Sequence, residues 1–217
     1  MQIGPGSDLL HTMLTRRSTA ALTEPGPDRD QLDLLLRAAA TVPDHGSLRP
    51  WRFVVVTGEA RQRFGDALVD VALRRQADLP TAAVEKMRAK AFVAPTFVVI
   101  VSSPHPGNKV PLWEQEASAA CTGYALTLAA QALGLGAMWK SAPFRGGGDL
   151  SVLLELRDDE QILGWVNVGT VPPGAGDRAA ARGSRRSVTP ADVASRLTDS
   201  GLTPVRATRD ADSPDSR

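Results

Sequence analysis

A single cysteine, Cys121, stands among the 217 residues. No disulfide can close within the chain, and a cysteine-rich metal site is excluded. Neither sign of charge dominates. The chain has 25 Lys and Arg against 24 Asp and Glu, a formal net charge of +1. That balance gives no electrostatic footprint for nucleic acid or for a membrane surface, so neither is expected as a partner. No apolar stretch is long enough to span a bilayer. Residues Met1 to Asp8 hold no basic segment followed by an apolar one, so no signal peptide is expected and a reducing, cytoplasmic setting is. Three familiar signatures are missing as well. There is no G-x-G-x-x-G after a strand and no G-x-S-x-G. Gly146-Gly147-Gly148 lacks the Lys-Ser/Thr ending of a phosphate loop. Readings as a dinucleotide-binding domain or an α/β-hydrolase therefore fall. His45 has no second His or Cys at metal-ligand spacing, and His11 and His105 also lack partners.

What is present is an ordinary globular composition, 42% apolar and 23% charged, of a length that suits one domain with or without tails. Helical spacing is expected over Leu9 to Leu14. It is expected again after the N-cap Asp28, where Leu32, Leu35, Leu36 and Ala39 share one face. A strand over Arg52 to Thr57 precedes helices at about Glu59 to Arg75 and Ala82 to Lys90. Thr96 to Val101 is a continuous β-branched run, which reads as a central strand covered on both faces. Glu116 to Leu133 reads as the longest helix. It is Ala-rich and nearly apolar all round, so full burial is expected. A short strand should hold Met138 and Trp139, with a helix at 150–156 and a strand over Gln161 to Val168. This order suits a compact α+β layer. Residues 1–170 read as the domain and 171–202 as an extension rich in Pro, Gly, Ala and Arg. The polar stretch 203–217 reads as a disordered tail.

Four clusters could carry chemistry. Arg16-Arg17-Ser18 closes a helix and could hold a phosphate through paired N–H donors, although a basic helix C-terminus is explained by the helix dipole alone. The proline-bracketed loop Pro43 to Pro50 offers Asp44, His45, Ser47 and Arg49 within a few residues. Lys109 to Glu116 places Trp113 beside two acids, Glu114 and Glu116, whose simplest role is to suit a helix N-terminus. Trp139-Lys140-Ser141 lies at a strand end and presents two donors.

The order of these clusters, completed by Gly134 to Trp139 and by Val168-Gly169-Thr170, resembles the FMN-dependent nitroreductase family over about residues 8–170. It is most similar to its YdjA-like subgroup. There a Pro-Asp-His loop and a Lys-Val-Pro-x-Trp-Glu-Gln-Glu segment recur together, as at residues 43–45 and 109–116 here. The resemblance implies a nitroreductase-like fold: a central mixed β-sheet flanked by helices, in an intertwined homodimer with two FMN sites at the interface. The Ala-rich helix would form the dimer core. Arg16, Arg17 and Ser18 would bind FMN at its phosphate and pyrimidine edge, with Thr41 among the cofactor contacts. His45 would reach the partner chain's FMN, and Trp139, Lys140 and Ser141 would line the flavin. Departures from the family pattern fall at several of these positions. Thr41 and Lys140 stand where the subgroup has Arg, and Ser47 and Arg49 where the wider family has Asn and Gln. The basic residue after the last strand is displaced by the insertion 172–183, leaving Arg185 or Arg186 to replace it.

The implied activity is reduction of nitroaromatics, quinones or similar electron-poor small molecules, by hydride passed from NAD(P)H through flavin N5. No side chain need then act as acid or nucleophile, because the cofactor carries the chemistry. An FMN-dependent dehydrogenase or tailoring enzyme with a dedicated substrate, and a non-catalytic flavin-binding protein, stay open at this point.

Overall fold

The computed structural model describes residues 7–175, 188–199 and 201–205. Two compact units divide the chain at Gly176 and Asp177. The first begins with α1 (Ser7–Thr15) and α2 (Arg29–Ala39), followed by β1 (Trp51–Thr57), α3 (Ala60–Arg75) and α4 (Thr81–Arg88). It continues with β2 (Thr96–Ser102), α5 (Leu112–Ala132), β3 (Gly136–Lys140), α6 (Gly148–Leu153) and β4 (Gln161–Gly169). The second unit holds a short helix α7 (Pro190–Val193) and the antiparallel hairpin of β5 (Ser195–Thr198) and β6 (Gly201–Pro204). That hairpin places Thr203 and Pro204 in a strand inside the segment expected as tail. The rest of that segment, from 206, and Arg185 and Arg186 lie outside the described residues.

The first unit is three layers deep. Its sheet runs β1-β2-β4-β3, with β2 and β4 central. Along β2 the side chains alternate between two cores, as the pleat requires. Phe97, Val99 and Val101 join Phe64, Leu68, Leu150 and Trp165 under α3 and α6. Val98 and Ile100 join Leu35, Ala39, Leu126 and Ala130 under α2 and α5. Every residue of β2 is buried, as the unbroken β-branched run predicts. The α+β class is the one expected. The three strand pairings within this four-stranded sheet are all antiparallel, where a mixed sheet is expected.

Local signals explain the element boundaries. Asp28 caps α2 in a full capping box with Gln31: the Gln31 amide N donates to Asp28 Oδ1 at 2.8 Å, and the Asp28 amide N donates to Gln31 Oε1 at 3.0 Å. Helix α5 starts four residues earlier than expected, at Leu112, directly after Pro111, which stands at its N-cap in an extended backbone conformation.

The expectation that this helix is fully buried is corrected. Gln115, Ala119, Thr122, Gly123, Leu126, Thr127 and Ala130 are buried, whereas Trp113, Ala117, Cys121, Tyr124 and Ala132 are exposed along a second stripe. One chain supplies one sheet face, α2 and α1 to cover a helix that is nearly apolar all round, and these leave the second stripe uncovered.

The start of β1 is pinned by an ion pair. Arg52 Nε donates to Glu160 Oε1 at 2.9 Å, and Arg52 Nη2 to Glu160 Oε2 at 2.8 Å. The Glu160 side chain is fully buried, and the Arg157 amide N also donates to it at 3.0 Å. The Arg52 hydrogen bonds hold the Glu160 carboxyl at about 2, below its ordinary 4.5, against the opposing pull of burial. A depressed carboxyl contributes stability above its unfolded pKa and loses it as pH falls through the folded one. A shift of this size corresponds to about 3 kcal/mol at neutral pH. Urea unfolding of Glu160→Gln should show a loss on that order at pH 7 that shrinks between pH 4.5 and pH 2. A loss of equal size at both ends of that range would show that the charge is not its source.

Candidate functional site

The three residues after α1 play different parts. Arg17 turns back on its own helix, donating through Nη1 to the carbonyl oxygens of Leu14, Thr15 and Arg16 at 3.1–3.3 Å. It is a C-terminal cap of the kind the helix dipole favours. Arg16 instead lies beside Ser18, with Nη1 3.4 Å from Oγ. A guanidinium and a hydroxyl are thus brought together without a carboxylate neighbour in that contact. The following amide, Thr19 N, donates to the Ala137 carbonyl at 2.9 Å and fastens this segment alongside β3. A cavity of about 290 Å³ opens here, lined by Arg17, Thr19, Gln131 and Ala137 among others.

Strand β3 then leads to the next cluster. From Ala137 to Lys140 the chain advances about 10 Å, at the usual strand rise. Trp139 and Lys140 point to opposite faces. The Trp139 ring packs on Gly123 of α5 and on Gly164 of β4, where an added Cβ would collide with it in either case. Its side chain therefore belongs to the core under α2 and α5. Lys140 and Ser141 line a cavity of about 200 Å³ on the other face, together with Lys90, Val93, Trp165 and Asn167. Sequence reasoning missed the last four. For Asn167 a signal existed, a carboxamide inside the apolar run Trp165 to Val168. For Lys90 there was none.

The proline-bracketed loop is built around Asp44. Its carboxylate accepts the amides of Leu48 and Arg49 at 3.2 and 2.7 Å. Gly46, Ser47 and Arg49 all adopt positive φ, of 76, 53 and 49°. For Ser47 and Arg49 that backbone is strained by about 1–3 kcal/mol each, of a kind that concentrates at functional loops. His45 Nδ1 lies 2.8 Å from Glu114 Oε2 in the first turn of α5. Glu116, one turn in, pairs with Arg145. Both acids thus do more than suit the helix dipole. Thr41 donates its hydroxyl to the Ala38 carbonyl at 2.8 Å at the end of α2.

These residues do not form one site within a chain. Gln131, near the C-terminal end of α5, donates to Thr15 Oγ1 at 3.0 Å and so marks the Arg16 end. Glu114 marks the His45 end. Seventeen residues of helix separate the two, about 25 Å along the axis. Arg16 and Ser18 lie by the start of β3 and the C-terminal end of α5, Lys140 and Ser141 lie at the end of β3 on the sheet face that Trp165 shares, and His45 stands at the other end of α5. Among the described residues no three His, Cys, Asp or Glu side chains gather to hold a metal ion, and no helix is long and apolar enough to cross a membrane.

An antiparallel sheet between two helical layers, with donors gathered at both ends of its edge strand, defines the class. The chain belongs to the nitroreductase family, whose model matches residues 13–170. It is 37% identical over 163 residues to YdjA of Escherichia coli (strain K12), which bears the name NAD(P)H nitroreductase, covering 75% of this chain and 88% of that protein. A second NAD(P)H nitroreductase by name, from Haemophilus influenzae, is 35% identical over 164 residues, with the same coverages of 75% and 88%. The fold is that of a nitroreductase-like family protein from Bacillus cereus, 20% identical with a TM-score of 0.65 over 88% of this chain and 94% of that one. It is also that of a Bacteroides fragilis nitroreductase with bound FMN, 19% identical with a TM-score of 0.65 over 88% and 99%.

Proposed function

We infer that the chain is an FMN-dependent oxidoreductase that draws hydride from NAD(P)H and delivers it to a nitroaromatic, a quinone or a similar electron-poor small molecule. The observation that carries this reading is the pairing of Arg16 with Ser18 at one end of β3 and the placement of Lys140 and Ser141 at the other. An anion-binding pair beside the start of a strand and two further donors at its end suit a molecule with a phosphate at one end and a ring at the other. Bound FMN supplies hydride acceptance and donation at its N5. The chain supplies the rest. Arg16 and Ser18 hold the phosphate, Lys140 and Ser141 face the ring, and Lys140 adds positive charge near it. Arg17 contributes through its cap of α1. Trp139 acts through its packing on Gly123, which sets the position of the β3 end, and Thr41 through the end of α2.

The working unit is a homodimer. Trp113, Ala117, Cys121, Tyr124, Leu128 and Ala132 recur at helical spacing along the outer side of α5 and carry no charge. Leu9, Leu10, Met13 and Leu14 add to the exposed apolar surface on α1. Such a face is unstable in water and suits a second copy. His45 then serves the neighbouring chain's cofactor, which accounts for its distance from Arg16. A lone unpaired cysteine fits a cytoplasmic setting. Residues 1–170 form the cofactor-binding domain, followed by the extension.

Mass spectrometry of the cofactor released from purified protein tests the reading. FMN in near-equal amount to the chain is the expected result. FAD, or protein that stays colourless when FMN is added, would contradict it.

A further inference from the structure

The cavity of about 200 Å³ under the end of β3 is walled by donors. Lys140 and Ser141 come from the end of β3 and Trp165 and Asn167 from β4. Lys90 and Val93 come from the single helical turn Ala89–Phe92 and the residue after it. Lys140 stands opposite Trp165 in the β3–β4 register, and Asn167, two residues on, shares the Trp165 face. No Asp or Glu lines this cavity. Among the described residues neither Lys90 nor Lys140 has a carboxylate partner. Arg88, two residues before Lys90, is by contrast paired with both Asp66 and Glu85. Beneath the two lysines, Trp165 is 2% exposed and Asn167 1%, and the Trp165 Nε1 and both polar atoms of the Asn167 amide have no partner. Buried polar groups without partners are rare. One internal water does not fill the space, since a water takes about 30 Å³.

We propose that this cavity is a binding site for a small organic carboxylate. Lys90 and Lys140 meet the two carboxylate oxygens with charge, and Ser141 adds a neutral donor. Val93 and the Trp165 ring give the wall an apolar part for the carbon skeleton. An inorganic oxyanion needs donors on all sides and would leave that part unused. The Asn167 amide and the indole N–H, recessed at the floor, keep it polar where an apolar floor would oppose a buried charge. The ligand is small, because pockets for drug-sized molecules begin at about 300 Å³. Lys140 is common to this cavity and to the cofactor reading, whereas Lys90, Trp165 and Asn167 are not. The site therefore stands or falls without FMN.

The test is isothermal titration calorimetry of the purified protein with benzoate and with benzyl alcohol, its uncharged counterpart, at one fixed ionic strength. Benzoate should bind saturably, one per chain, and benzyl alcohol about tenfold or more weakly. Lys90→Met keeps the apolar stem and removes the charge, and should weaken benzoate about tenfold or more. Lys90→Arg, which keeps the charge, should stay within about threefold of the parent. Lys86→Met changes an exposed lysine outside the cavity and should bind as the parent does. In the parent, benzoate should also slow acetylation of Lys90 and leave Lys86 unprotected, as read by mass spectrometry of the peptides. Benzoate that does not saturate, or binds no better than benzyl alcohol, overturns the proposal. So does equal binding by the parent and Lys90→Met, the result expected if benzoate sat over a flavin ring and the cavity held only waters. Unprotected Lys90 in the parent overturns it without any variant having to fold. Colourless protein that binds benzoate with this discrimination would contradict the cofactor reading and support this one.

Discussion

Arg16→Ala should raise the dissociation constant for FMN by roughly ten- to a hundredfold while the dimer persists, the loss of one charge-assisted hydrogen bond of about 1.5–3 kcal/mol. The neighbouring arginine is the control. Arg17 donates to three carbonyls of its own helix end, so its guanidinium is already engaged. Arg17→Ala should cost a few tenths of a kcal/mol to about 1 kcal/mol of stability through the lost cap, and change FMN binding by less than about threefold. Ser18→Ala should fall between the two. Fluorescence titration of the apo-proteins at one fixed salt concentration measures all three. Equal dissociation constants for the parent and Arg16→Ala would remove the phosphate site from the end of α1. A larger effect at Arg17 than at Arg16 would mean that the cap opens on binding and that the two arginines exchange roles.

A charge placed at the centre of the outer stripe of α5 should have an effect at least as large. Cys121 is exposed and sits between Ala117 and Tyr124 on that stripe. In a dimer built on this face, Cys121→Glu buries an unpaired carboxylate against apolar side chains. The penalty is about 3 kcal/mol or more, over a hundredfold in the dimerisation constant. Light scattering at low micromolar concentration should then report the mass of one chain, and FMN should be lost with the partner because His45 no longer reaches the neighbouring site. Cys121→Ser, which adds no charge, should stay dimeric and yellow. A Cys121→Glu protein that remains a yellow dimer would place the interface elsewhere.

Much of the fold is legible in the sequence where one local rule decides. The capping box at Asp28, the β-branched run at Thr96 and the glycine pair at 134 and 136 each fix an element, and the structure places elements there. Burial is legible where both faces of an element are covered by the same chain, as in β2. It is not legible for α5. An apolar helix reads alike whether its cover comes from its own chain or from another, and only half of this one is covered here. The candidate site splits the same way. Arg16 and Ser18 are visible as a motif. The separate role of Arg17 depends on where one guanidinium folds, which no spacing shows. Trp139 and Lys140 are neighbours in sequence yet face opposite layers, because a strand alternates its side chains. The meeting of Lys140 with Trp165 and Asn167 depends on β4 lying beside β3, a contact between segments 25 or more residues apart.

The central claim is that this chain passes hydride from a nicotinamide to an electron-poor acceptor through bound FMN. The direct measurement is anaerobic mixing of the purified protein with NADH or NADPH, followed by addition of a nitroaromatic or a quinone, with the flavin absorbance recorded throughout. The account predicts that the yellow colour bleaches within the mixing experiment and returns when the acceptor is added. Colour that persists with both nicotinamides would contradict it. That outcome would leave the chain a flavin-binding protein or an enzyme with a dedicated donor of another class.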